Sequence, residues 1–138
     1  MGLDIGLKRI GLSLSDRDWN IATPRTVLRR KNLGRDLEAI ADEILENRVC
    51  ALVCGQPLTR EGESTKFSMF IENFVIRLEE FLHIPILLVD EHLTSFMAEE
   101  FLREDMSESY LKSKKILDKV AAAYILQSVL EKLEKQKK

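Results

Sequence analysis

Four acidic residues, in three well-separated stretches, are of the type and placement that a folded chain could gather: Asp4 in GLDIG, Asp90 and Glu91 in LLVDEH, and Asp118 in KILDKV. Carboxylates held within a few ångströms of one another repel and raise each other's pKa unless cations lie between them. With oxygen as the only donor, such a group favours magnesium or manganese, and a small number of protein ligands leaves positions open for water and phosphate oxygens. That arrangement suits two-metal cleavage of a phosphodiester, in which one ion activates the attacking water and both stabilise charge in the in-line transition state. Singly, each acid is ordinary. A lone Asp on a strand is more often satisfied by a neighbouring amide or arginine.

The elements that would position these acids follow from hydrophobic period. Leu3 and Ile5 alternate with Gly2, Asp4 and Gly6, and Ile10, Leu12 and Leu14 alternate with Gly11, Ser13 and Ser15, which predicts a β-hairpin carrying Asp4 on its first strand. Gly2 and Gly6, of the same parity as Asp4, are expected to keep bulk away from its face of the sheet. Turn residues Asp16 to Asn20 lead to a third strand, Ile21 to Arg30, completing an antiparallel meander. Leu37, Ile40, Ala41, Ile44 and Leu45 predict a helix from Leu33 to near Asn47, and the apolar run Val49 to Cys54 predicts a strand covered on both faces. After the polar loop Arg60 to Ser64, the stripe Phe67, Phe70, Ile71, Phe74, Val75, Leu78, Phe81 and Leu82 predicts a second helix, most simply a core helix. Ile86 to Val89 reads as a short strand ending at Asp90 and Glu91. A helix over about Ser95 to Glu104, an aperiodic and mobile segment from Asp105 to Ser113, and a final helix from about Lys114 follow, the last with Leu117, Ala121, Tyr124, Ile125 and Ser128 inward. The order β-β-β-α-β-α-β-α-α implies an α/β fold: a five-stranded mixed sheet, three strands antiparallel and two parallel, with helices on both faces. Catalytic groups in such folds gather at the carboxyl ends of the parallel strands, where Asp4, Asp90 or Glu91, and Asp118 can converge.

At 138 residues the chain is expected to form one domain over residues 1–138, with enough apolar content to bury a core unaided. No apolar run approaches the roughly 18–20 residues of a membrane span, and no signal peptide precedes the first strand, so a cytoplasmic location without membrane contact is expected. Cys50 and Cys54 share parity and are expected to point into one packed face as small hydrophobes. The net charge of −2 conceals an uneven distribution. Residues 1–35 carry eight Lys/Arg against three Asp/Glu, residues 36–108 five against seventeen, and residues 109–138 eight against three, giving +5, −12 and +5. If the fold brings the two ends together, Lys8, Arg9, Arg29, Arg30, Lys114 and Lys115 form one basic margin able to track phosphates around the acids.

Four stretches, in order, resemble the successive motifs of the YqgF (RuvX) family: Gly2 to Gly11, Val53 to Leu58, Asp90 to Ser95, and Asp118 to Leu126. The resemblance implies an RNase H-like fold similar to Holliday junction resolvases, and a nuclease that matures the 5′ end of pre-16S ribosomal RNA. It implies that Asp4, Glu91 and Asp118 are the metal-holding catalytic acids, with Mg2+ or Mn2+ as cofactor, and that Lys8 and Arg9 form a basic turn. His92 stands where the family usually has Arg, which weakens the case for a fixed phosphate clamp there, because His is mostly neutral at pH 7. The chain begins only three residues before Asp4, so the first strand is expected to fray at its start.

The leading expectation is thus a metal-dependent nuclease acting on structured RNA, a ribosomal precursor free or on a ribosomal particle. The alternatives are a resolvase cutting branched DNA and a nucleic-acid-binding module with little catalysis. An actin-like ATPase shares the D-x-G hairpin, but that fold needs two such domains. Thr94 could donate to a phosphate, although Thr94 and Ser95 are also what a helix N-cap requires. Trp19 could stack on a base or simply cover the sheet edge, and His83 is expected at the surface.

Overall fold

The computed structural model describes residues 1–56, 66–90 and 110–137, and side chains from residue 116 onward in the last stretch. Strands β1 (Gly2–Ile5), β2 (Arg9–Ser15) and β3 (Ala22–Arg29) form the antiparallel meander. β4 (Leu52–Gln56) and β5 (Ile86–Asp90) lie parallel to β1, giving the order β3-β2-β1-β4-β5. The helices are α1 (Leu33–Asn47), α2 (Lys66–Leu82) and α3 (Tyr110–Gln136). The helix expected over 95–104, residues 105–109 of the segment expected to be mobile, and the loop 60–64 lie outside the described residues, while residues 110–113 of that segment belong to α3.

Period-2 alternation divides the sheet into two apolar faces. Leu3, Ile5, Ile10, Leu12, Leu52 and Cys54 meet Leu37, Ile40 and Ile44 of α1 and Ile71, Phe74, Val75 and Leu78 of α2 in the main core. On the other face Val53 joins Ile125, Leu126, Val129 and Leu130 of α3 in a smaller cluster. α1 begins where Asn32 accepts a hydrogen bond from the Arg35 N–H (2.9 Å) and ends at Arg48 in the left-handed conformation (φ 54°). Leu45, expected inward, is 78% exposed at the border of the α1 stripe.

Three further expectations are corrected. α3 starts at Tyr110 rather than near Lys114, and its inner face is Ala122, Ile125, Leu126 and Val129, with Tyr124 outward. Apolar residues occur around most of this helix, so periodicity alone could not fix its rotation. The start of β1 is tied down rather than frayed: Met1 is buried, its amino group donates to the Ala51 carbonyl (3.0 Å), and its carbonyl accepts from the Val53 N–H (2.9 Å). Burial lowers the pKa of that amino group. Cys54 is buried but Cys50 is exposed, because it precedes β4 by two residues and strand parity does not reach it.

Asp16 fixes the β2–β3 turn by accepting from the backbone N–H of Ile21 (3.0 Å) and Asn20 (2.7 Å), bonds that hold its carboxyl below the usual carboxylate range. Trp19, at φ 60°, stands half out of this turn beside a groove of about 770 Å³ at the end of the sheet where β1, β4 and β5 begin.

Candidate active site

The opposite end of the sheet carries the acids. In β1, Gly2 and Asp4 share the face covered by α3, because a side chain at Gly2 would run into Ser13 Oγ and the Ala122 carbonyl. Asp4 pairs in register with Gly11 of β2. A Cβ on Gly11 would collide with the Asp118 carbonyl oxygen and come within 2.9 Å of the Lys119 nitrogen. The backbone of α3 therefore rests directly on the strand residue opposite Asp4, which brings together the segments bearing Asp4 and Asp118, more than a hundred residues apart in the chain. One turn further along, the buried Ser13 hydroxyl donates to the Ala122 carbonyl at 2.7 Å and fastens the helix in this register.

The β1–β4 register pairs Leu3 with Cys54, so Gly55 is the next residue level with Asp4. Asp4 thus stands in a row between two glycines, with no side chain on either side of it along the sheet. Gly2 and Gly6 do different work from that expected of them. The space at Gly2 is filled by α3, and Gly6 opens the hairpin turn through its N–H bond to the Arg9 carbonyl (2.9 Å).

Arg9 shares the α3 face with Gly11 and Ser13, and its Nε donates to Asp118 Oδ2 at 2.7 Å. Both side chains keep partial access to solvent, 20% for Arg9 and 24% for Asp118. Arg9 pairs in register with Arg29, whose side chain is exposed, and Lys8 is exposed at the turn. Asp90 closes β5 opposite Gln56 with the parity of Ile86 and Leu88, which pack on the main core. It therefore belongs to the face away from Asp4. Glu91 and Thr94 lie outside the described residues, as do the side chains of Lys114 and Lys115. Asp118 is level with Gly11 and Ala122 with Ser13, so Lys114, one turn before Asp118, belongs to the same end of the sheet as the acids.

Arg30 is the main departure from the expected phosphate margin. Its Nε bonds Asp36 Oδ2 at 3.0 Å, its Nη1 donates to the Gly6 carbonyl at 3.1 Å, and its guanidinium lies 5.1 and 4.9 Å from the ring centres of Phe70 and Phe74. Asp36, only 6% exposed, also accepts from the Lys31 N–H. This clamp joins the hairpin turn to α1 and α2, and the sequence signal for it was an Asp in the first turn of α1 beside a helix bearing two Phe one turn apart. Arg30→Gln is expected to cost about 3 kcal/mol by leaving Asp36 buried without its counter-charge. Arg29→Glu should leave the melting temperature unchanged while lowering the salt slope of nucleic-acid binding by about one unit. Thermal denaturation and binding titrations over a range of salt distinguish the two.

Among the described residues no cluster of three metal-ligating side chains occurs. Asp4 and Asp118 nevertheless bring hard oxygen donors to neighbouring segments, Asp4 on β1 and Asp118 on the turn of α3 that lies over Gly11. That donor set fits magnesium or manganese; the sulfur and imidazole that zinc favours are absent from it.

Residues 1–132 match the family model described as RuvX, Holliday junction resolvase. A protein of Caldanaerobacter subterraneus named "Putative pre-16S rRNA nuclease" is 39% identical over 131 residues, covering 95% of this chain and 94% of its own. A Nostoc protein of the same name is 39% identical over 132 residues, covering 95% and 86%. Among solved structures, T. thermophilus RuvC in complex with a Holliday junction substrate matches with a TM-score of 0.58 at 12% identity over 96% of this chain and 93% of that one. The fowlpox virus resolvase bound to Holliday junction DNA matches at 0.54 and 12% identity, covering 96% of each chain. At that identity the common property is the fold, an RNase H-like mixed sheet with helices on both faces.

Proposed function

Because the chain belongs to the RuvX family, whose model spans residues 1–132, we propose that this nuclease is a magnesium-dependent enzyme of one domain, residues 1–138, that trims the 5′ end of precursor 16S ribosomal RNA in the cytoplasm. The observation that carries the reading is the placement of Asp118 over Gly11, opposite Asp4. Asp4, Asp118 and Glu91 would hold magnesium or manganese, which when bound supplies an activated water and charge stabilisation at the scissile phosphate. Gly11 lets the backbone of α3 settle against the strand beside Asp4, which brings the segment carrying Asp118 to the strand that carries Asp4. Lys8 and Arg29 at the hairpin edge, with Thr94, Lys114 and Lys115, hold flanking phosphates, and Arg30 keeps the hairpin in place from behind.

The family description also favours a second substrate, branched DNA. Purified protein is to be incubated with Mg2+ and, in parallel, a precursor RNA bearing its 5′ extension and a four-way DNA junction. Shortening of the RNA with a preference of about tenfold or more over junction cleavage is expected. Excess chelator should stop the reaction, manganese should restore it and zinc should not. Preferential cleavage of the junction would assign the site to recombination, and cleavage in chelator would overturn the metal reading.

A further inference from the structure

The ion pair between Arg9 and Asp118 engages a carboxylate that the proposed function, on which this inference rests, gives to the metal. Arg9 Nε lies 2.7 Å from Asp118 Oδ2, on the same sheet face as Asp4 and two residues nearer the hairpin edge than Gly11. A divalent ion received by Asp118 places two positive charges against the guanidinium and removes the reason for it to stay. The pair is partly open to solvent, so separating it is cheap. On its other side Arg9 is paired in register with exposed Arg29 and follows exposed Lys8, so the nearest place with cationic company is the edge where phosphates would lie. A guanidinium suits that move, because its planar donors match carboxylate and phosphate oxygens alike.

We propose that Arg9 is an exchangeable counter-ion. It neutralises Asp118 while no ion is held and transfers to a backbone phosphate when one arrives, so that metal and nucleic acid bind cooperatively. Arg9 is in this sense a positioning residue whose two partners are used in alternation. Linkage requires the effect to be reciprocal: nucleic acid that captures Arg9 must tighten metal binding by the same factor by which metal tightens nucleic-acid binding.

The test is calorimetric titration of Mn2+ into the free protein, with thermal melting to show that each variant is folded. Arg9→Gln should bind Mn2+ about two- to fivefold more tightly than wild type, because the competing cation is gone. Arg9→Lys, which keeps the charge, should bind as wild type does, and Lys8→Gln should change little, which separates the pair from a general loss of positive field. A second readout is the binding of a labelled RNA hairpin in chelator and in Ca2+, whose looser coordination supports binding better than in-line cleavage. The salt slope of wild type should rise by about one unit when Ca2+ is added, and that of Arg9→Gln should not. Mn2+ affinity in Arg9→Gln equal to or weaker than wild type, or a Ca2+-dependent slope change that persists in it, would overturn the exchange. Asp4→Asn and Asp118→Asn mark the other failure: if neither weakens Mn2+ binding, the acids do not hold the ion and the proposed function itself falls.

Discussion

Asp4→Asn is expected to lower metal-dependent cleavage on the order of a hundredfold or more while leaving the protein folded. Asn has the shape of Asp but lacks the charge that binds a hard cation. Asp118→Asn should lose as much activity and a little stability. Its carboxylate is already paired with Arg9, so neutralising it removes an attraction, and partial solvent access limits the loss to about 1 kcal/mol or less. Single-turnover cleavage and thermal denaturation of the two variants read both quantities. Wild-type rates in Asp4→Asn would remove that residue from the site, and a large fall in its melting temperature would make it a structural acid instead.

The second large effect belongs to a residue with no side chain. Gly11→Ala puts a methyl group onto the carbonyl oxygen of Asp118, and the obstacle is helix backbone, which cannot rotate away as a side-chain tip can. α3 would have to lift, pulling the Ser13 hydroxyl from the Ala122 carbonyl and the Asp118 turn away from the strand beside Asp4. A cost of about 3 kcal/mol, or on the order of 10 °C in melting temperature, is expected, together with loss of cleavage. Gly34→Ala in the first turn of α1 is the control. Its new methyl group would meet nothing closer than Asn32 Oδ1 at 3.6 Å, so it should be neutral or stabilising by about 0.5–1 kcal/mol. Denaturant melts of the pair suffice, and Gly11→Ala melting with the wild type would mean that helix and strand do not touch as described.

Much of this architecture was legible because strand and helix periods act locally. Leu3, Ile5, Ile10 and Leu12 lie on one face as their alternation requires, and Leu37, Ile40 and Ile44 fill the stripe their spacing marks out. Where the sequence reading failed, the deciding contact lay outside the local window. Arg30 looked like a surface cation until Asp36, Phe70, Phe74 and the Gly6 carbonyl closed around it. Cys50 had the right parity but no strand to enforce it. The motif acids Asp4 and Asp118 were visible as residue types, yet Gly11, which lets their elements touch, looked like one more small residue in an alternating strand. Only the docking of α3 gives it a purpose.

The Arg9–Asp118 and Ser13–Ala122 bonds each close a loop of 109 residues, and this governs when during folding the site comes into being. The β1–β2 hairpin pairs strands close in the chain, and β4, α1 and α2 can build the main core on it. Contacts of such long separation come late, since the entropy of closing the loop must be met before they contribute. A nascent chain halted before α3 could have most of its sheet in place and Asp4 in position, yet would lack the second carboxylate. If Asp118 holds the metal as proposed, a chain truncated before α3 is expected to show no cleavage even where its sheet has formed, which assays of the truncated and full-length chains would read.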